Sequence, residues 1–431
     1  CESCGHRSAK WMGFCPQCGS PEPLVERVDH PSIEASPASA VPVDTAVAER
    51  TVRLLTGWHE VDRVLGGGLV VGSVILLGGE PGVGKSTLLM QLAGSLGQDG
   101  ARALIASAEE SVHQVALRAR RLGVESASVE LAADDDVDAI IALAEKTRPE
   151  LLVVDSIQTV GVPEIVAAPG GVSQVRESAA RLIRLAKTTG ITVVLVGHVT
   201  KEGGLAGPKI LEHMVDVVLY LEGDPDRGLR ALRSTKNRFG ATHLVGMFEM
   251  RSEGLVEVED PSKLFLDGWA PDVAGTIIYP TVEGRRSILV EIQALIVPTN
   301  QAQPRRSIRG LAPSRVNQVL AVLQRHVGLG ISDREVYVNV VGGWSLEEPG
   351  CDLPVALAIS SSYLDRPLGR VAAFGEVGLA GEVRSVPFEG RRVEELERMG
   401  LTRRVAPTGG QPIRLADALV AAGLRDGAVQ G

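Results

Sequence analysis

With 431 residues, 44% of them apolar and only 3% aromatic, the chain is long enough for roughly three domains with packed cores. A formal net charge of −9 excludes a surface coated in basic residues, so any nucleic-acid contact must come from local clusters. No apolar run approaches the ~20 residues that a membrane-crossing helix needs and no signal peptide is visible, so the expectation is a cytoplasmic protein with no membrane partner.

Four of the five cysteines fall within the first 18 residues as two CxxC pairs, Cys1 with Cys4 and Cys15 with Cys18, each followed by a glycine. Two thiolates from each tight turn suit tetrahedral Zn²⁺, and Gly5 and Gly19 permit the positive φ that such turns need. Residues 1–28 therefore read as a four-cysteine zinc ribbon with a closed, structural site, dependent on the metal to fold. Cysteines used this way fit a reducing compartment rather than a disulfide framework. Residues 29–50, rich in Pro, Ala, Ser and Val, read as a linker.

From 51 to 260, strand-like and helix-like segments alternate. Strands are predicted at 73–77, 103–107, 151–155, 192–197, 217–221 and 229–235, with helical spacing at 175–187, which implies a parallel sheet covered on both faces. The stretch Gly79-Glu80-Pro81-Gly82-Val83-Gly84-Lys85-Ser86-Thr87 fits G-x-x-x-x-G-K-[ST] between an apolar strand and a helix. Its glycines let backbone N–H groups curl around phosphate oxygens, and the helix N-terminus adds a partial positive charge. Lys85 is expected to reach the β- and γ-phosphates of a nucleoside triphosphate and Ser86 to ligate Mg²⁺. The run Leu-Leu-Val-Val-Asp155 ends a second strand in a carboxylate, the Walker B form, placed to hold Mg²⁺ through water. A third strand ends in Glu109-Glu110-Ser111, which makes Glu109 the candidate general base for the attacking water and Glu110 its fallback.

From 261 to 431 the pattern changes. Strand-like runs at 276–279, 287–295, 336–341 and 370–377 mix with helices at 315–325, 353–363 and 391–398, an α+β pattern without a second phosphate loop.

The four-Cys ribbon, GEPGVGKST, ASAEES, LLVVDS, GHVTKEG and Lys236-Asn-Arg238-Phe-Gly together resemble the RadA (Sms) family of bacterial DNA-repair proteins, which are RecA-like ATPases. Ala108 departs from the glycine usual in that family's Gly-Glu-Glu-Ser turn, a change that leaves Glu109 in place. The resemblance implies a RecA-like P-loop core using ATP, a homo-hexameric ring moving on single-stranded DNA, and branch migration of recombination intermediates alongside the RecA recombinase. It also implies a nucleoid-associated location. Within it, His198 is the expected γ-phosphate sensor, and Lys236 and Arg238 are cations reaching a neighbour's γ-phosphate. The loops at 157–172 and 201–209 would line the pore, with Lys201 and Lys209 as phosphate contacts. The helix carrying Arg176, Arg181, Arg184 and Lys187 reads either as an auxiliary contact or as a solvated face.

Residues from about 270 onward resemble the proteolytic domain of Lon, most clearly at 348–352 and 375–383. Cys351 stands at the serine position, and the lysine position falls near Gly390, flanked by Arg391 and Arg392, which cannot act as bases. The expectation is an inactive platform whose basic run 304–309 offers a second DNA surface. The competing readings are an ATP-dependent Lon-like protease and a scaffold that uses ATP only to assemble.

Overall fold

The computed structural model describes residues 13–19, 21, 52–165, 167–168, 170–198, 207–223, 228–242, 244–301 and 303–425, with the backbone alone for 207–209. The chain divides into two compact units, 1–50 and 51–431. In the first, Cys15 is buried and Cys18 exposed on one turn, closed by the Gly19 N–H donating to the Cys15 carbonyl at 2.9 Å with Gly19 at φ 70°. Cys1 and Cys4 lie outside the described residues.

The second unit begins with β1 (Arg53–Leu54), α1 (His59–Leu65) and β2 (Leu69–Val70). Then come β3 (Val74–Gly79), α2 (Lys85–Gln98), β4 (Ala103–Ser107), α3 (Val112–Arg121), β5 (Val129–Ala133) and α4 (Val137–Thr147). They are followed by β6 (Leu151–Asp155), α5 (Val172–Thr189), β7 (Thr192–His198), α6 (Gly207–Met214), β8 (Val217–Gly223), β9 (Leu229–Asn237), β10 (Val245–Arg251) and β11 (Gly254–Glu257). One nine-stranded sheet takes the order β11-β10-β9-β8-β3-β7-β6-β4-β5. From β8 through β5 every pairing is parallel, as the alternating pattern predicts. From β8 through β11 the pairings are antiparallel, which corrects the expectation of a parallel sheet across the whole segment. Among the described residues the strands from β8 onward follow one another with no helix between β8 and β11, and a crossover helix is what parallel pairing needs.

Successive residues of β3 supply opposite faces. Ile75 and Leu77 pack with Leu88, Leu92 and Leu96 of α2, while Val74 and Leu76 pack with Val175, Leu182 and Leu185 of α5. Covered on both sides, the strand needs an unbroken apolar run, which is what the sequence supplies.

After α7 (Pro261–Phe265) the chain forms β12 (Thr276–Glu283), β13 (Arg286–Pro298), β14 (Arg306–Arg309), α8 (Pro313–Val322), β15 (Arg334–Val340), α9 (Asp352–Leu364) and β16 (Val371–Ala373). It ends with β17 (Glu376–Val377), β18 (Glu382–Arg384), α10 (Glu389–Arg398), β19 (Arg403–Val405), β20 (Ile413–Arg414) and α11 (Leu415–Ala421). A six-stranded sheet, β14-β15-β13-β12-β16-β19, and a small β17-β18-β20 sheet result. Ala231, Val245 and Met247 of β9 and β10 belong to the same apolar core as β12, β13 and α9, so the two sheets share buried surface.

Candidate nucleotide site

The phosphate loop leaves β3 at Gly79 and enters α2 at Gly84. Gly79 has φ 153° and its backbone runs so close to β8 that a Cβ would lie 2.4 Å from the Leu221 carbonyl oxygen. Gly84, at φ 114°, is the N-cap of α2, and no side chain caps the helix. The first-turn amides therefore have no side-chain acceptor among the described residues, which suits an anion. Lys85 is buried, its Nζ donating to the Gly79 and Glu80 carbonyls at 2.9 and 3.0 Å. Burial lowers its pKa, with Asp155 and Glu109 opposing that shift. Arg230, buried on β9, supports the loop from beneath by donating from Nε to the Val83 carbonyl at 2.8 Å.

Asp155 ends β6, two strands from β3, and lines one small cleft with Ser86, Ser107, Glu110 and Arg118. Burial raises its pKa, while the Ser86 hydroxyl, His198 and Arg118 work in the opposite direction. A hard divalent cation is what would favour the ionised form of such a carboxylate. The donor set, a hydroxyl and a carboxylate facing one another beside a phosphate cradle, fits Mg²⁺, with Ser86 and Asp155 as the residues that would hold it. When bound, the ion neutralises phosphate charge.

The two candidate bases part company. Glu109 accepts the Ser156 hydroxyl at 2.6 Å and lies 3.5 Å from His198 Nε2. Glu110 instead pairs with Arg118 of α3 at 2.6 Å. His198 ends β7 beside Gly79, its main chain clamped by the Gln158 amide, which donates to the His198 carbonyl at 3.0 Å and accepts its N–H at 2.9 Å. His198 Nδ1 is buried without a hydrogen-bond partner among the described residues. Lys85, Ser86, Glu109, Asp155 and His198 thus converge at the C-terminal ends of β3, β4, β6 and β7, where ligands bind in open α/β sheets.

Residues 45–204 match the AAA domain family, and residues 1–26 match the rubredoxin metal binding domain family. DNA repair protein RadA of Bacillus subtilis is 45% identical over 422 residues, covering 94% of this chain and 91% of that protein. The Pseudomonas aeruginosa DNA repair protein RadA is 46% identical over 425 residues, covering 96% and 93%, and that of Salmonella typhimurium 43% over 439, covering 99% and 95%. The chain belongs to the RadA family. Its core is a RecA-like α/β ATPase fold preceded by a zinc-ribbon segment.

The RadA-family signature Lys236–Gly240 lies far from this cluster. Asn237 pairs with Val217 across β9 and β8, and Val217 pairs with Ile75, so the signature sits at the N-terminal edge of the parallel strands. Arg238 is level with Val74, five residues before Gly79, which puts about 17 Å of strand between it and the phosphate loop of its own chain. Lys236 Nζ donates to the Glu212 and His213 carbonyls at 2.7 and 3.3 Å, and Arg238 pairs with Asp216 at 3.2 Å.

Lys201 and its loop lie outside the described residues, as does the side chain of Lys209. On α5, Arg181 is engaged by Asp138, Glu164 and Glu177, and Lys187 by Asp216, which leaves Arg176 and Arg184 as its exposed basic side chains with no ion pair among the described residues. In the C-terminal segment Cys351 is buried, its thiol donates to the Glu348 carbonyl at 3.1 Å, and burial pushes its pKa up to about 12. Arg392 is fully buried and pairs with Glu348 at 2.5 Å, while Arg391 stacks on Phe388. Sequence reasoning missed Ser156, Gln158, Asp216 and Arg230, because their placement depends on which strands become neighbours. An arginine inside a strand pattern was the one available signal, at Arg230.

Proposed function

We propose that this chain is a DNA-dependent ATPase of recombinational repair. It works as a homo-hexameric ring on single-stranded and branched DNA, and drives branch migration with the RecA recombinase in the nucleoid-associated cytoplasm. In this reading residues 1–28 are the zinc ribbon, 29–50 the linker, 51–260 the motor and 261–431 a proteolytically inactive platform. Cys1, Cys4, Cys15 and Cys18 hold zinc. Gly79 to Thr87 and His198 bind ATP, Glu109 is the base, and Lys236 and Arg238 act on the neighbour's nucleotide.

The observation that carries the reading is the division of the site. Nucleotide-facing groups gather at one end of the sheet, whereas the signature cations lie at the other, out of reach of their own phosphate loop. A ring of like-oriented subunits brings the two halves together, since a heterologous interface presents one subunit's back to the next one's front. For the C-terminal segment, a buried Cys351 thiol pushed up to about 12, with Arg392 paired to Glu348 and unable to act as a base, supports a non-proteolytic role.

The test is ATP turnover by the purified full chain with and without single-stranded DNA, combined with fluorescence-monitored strand exchange on a three-stranded junction. DNA-stimulated turnover and ATP-dependent exchange are expected. Turnover indifferent to DNA would overturn the motor reading, and ATP-driven casein digestion would restore the protease.

A further inference from the structure

Asp216, in the turn between α6 and β8, is nearly fully buried and is the meeting point of four segments. Its Oδ2 accepts the Val74 N–H at 3.0 Å and Lys187 Nζ at 2.7 Å, and its Oδ1 accepts from Arg238 Nη1 at 3.2 Å. Its main-chain carbonyl also accepts the Arg238 N–H at 3.1 Å, and its own N–H donates to the Val74 carbonyl at 2.9 Å. Both the backbone and the guanidinium of Arg238 are therefore set by one residue.

The other members of the cluster lead back across the sheet. Lys187 lies in the last turn of α5, an 18-residue helix about 27 Å long that begins at the end of the 157–172 loop. Lys236 is tied to the carbonyls of Glu212 and His213 near the end of α6, the next helix in the chain after β7 among the described residues. Each signature cation is thus attached to the far end of one of the two helices that follow the strands ending at Asp155 and His198. The Lys187 ammonium, half exposed, makes no other polar side-chain contact among the described residues, so its pairing with Asp216 is not needed to satisfy anything else.

We propose that Asp216 is the positioning residue for Arg238, and that the Lys187–Asp216–Arg238 triad passes the position of a subunit's α5 to the nucleotide pocket of its neighbour. This rests on the reading that Arg238 acts in trans. A shift of α5 along its axis moves Lys187 relative to a buried carboxylate fixed to β3. The shared charge then rebalances between Lys187 and Arg238, changing how firmly the guanidinium is held back or presented. Allosteric coupling of this kind commonly amounts to a 5–150-fold effect.

The test uses full-length Lys187→Ala, Asp216→Asn and the double variant, with Arg184→Ala as a control for lost charge on the same helix and Lys187→Arg as rescue. Lys187→Ala should keep DNA-free turnover and DNA affinity near wild type but lower kcat at saturating single-stranded DNA about fivefold or more. Asp216→Asn should lower the same kcat, and the double variant should be no worse than the more damaged single. Lys187→Arg should restore stimulation, and Arg184→Ala should leave kcat at saturating DNA unchanged. Unchanged stimulation in Lys187→Ala, or a loss confined to DNA affinity, overturns the inference. Full turnover by Arg238→Ala would instead remove the trans reading beneath it, so the two failures are told apart by that one variant.

Discussion

Lys85 is a buried ammonium held by carbonyl oxygens, with no carboxylate in direct contact among the described residues. Its hydrogen bonds to Gly79 and Glu80 hold it against the loop, where it is preorganised for a phosphate oxygen rather than recruited to one. Lys85→Ala should therefore lower ATP turnover by at least about 10²-fold, measured as phosphate release at saturating nucleotide. Glu109 and Glu110 are adjacent in sequence but chemically unlike. Glu109 faces Ser156 and His198 across the sheet, while Glu110 is neutralised by Arg118. Glu109→Gln should lower kcat by about 10²–10⁴-fold while nucleotide still binds, because only proton transfer is lost. Glu110→Gln should leave kcat near wild type, and the opposite ranking in a turnover assay would exchange their roles.

Where elements meet, buried ion pairs replace the chemistry that the Lon resemblance leads one to look for. Arg392 of α10 donates to the Pro387 carbonyl, the Tyr279 hydroxyl and the Pro280 carbonyl, and pairs with Glu348, which also accepts the Thr281 hydroxyl at 2.8 Å and the Val282 N–H at 3.1 Å. Burial works against the Glu348 charge, but the Arg392 guanidinium prevails and holds the carboxyl below the usual glutamate range. Glu348→Gln leaves a buried guanidinium without its counter-charge and should cost about 3–5 kcal/mol in urea melts at pH 7. A depressed folded pKa contributes stability above the unfolded value of about 4.3 and loses it as pH falls through the folded one. The wild type should therefore weaken in acid more steeply than Glu348→Gln, and parallel pH profiles would refute the pair's contribution. None of this could be read from the sequence, since Tyr279 of β12, Glu348 before α9 and Arg392 of α10 come from three separate stretches of chain. Elements were legible where burial is two-sided, as in β3, β6 and β7, whose apolar runs have a single interpretation. Half-exposed β5 and charged β10 and β11 gave no comparable signal. Lys85, Ser86, Glu109, Asp155 and His198 could be read as neighbours because each ends or follows a strand. Asp216 and Gln158 could not, because their meaning lies in partners across the fold.

At the scale of the whole molecule, β9 and β10 contribute Ala231, Val245 and Met247 to the core beneath β12 and β13, and the buried Glu60 of α1 pairs with Arg286 of β13 at 3.1 Å. The C-terminal segment is thus built into the ATPase sheet, and a chain cut after 260 should expose that core and aggregate in light scattering where the full chain stays dispersed. At the other end, a Cys4→Ser, Cys18→Ser double variant leaves two thiolates for zinc and should lose the metal, measured as zinc per chain after dialysis; retention of one equivalent would refute tetrathiolate binding. The separation of Arg238 from its own phosphate loop makes a sharper prediction. Alone, Lys85→Ala has a dead pocket but an intact Arg238, and Arg238→Ala has an intact pocket but nothing to offer its neighbour, so each should be inactive. Mixed in equal amounts and allowed to exchange subunits, half of the pockets keep Lys85, and half of those face a subunit keeping Arg238. Roughly a quarter of the wild-type turnover should then return, the product of two independent halves at heterologous interfaces. If Arg238 served its own subunit's nucleotide, no mixture of the two could hydrolyse ATP, and phosphate release would stay at background at every ratio.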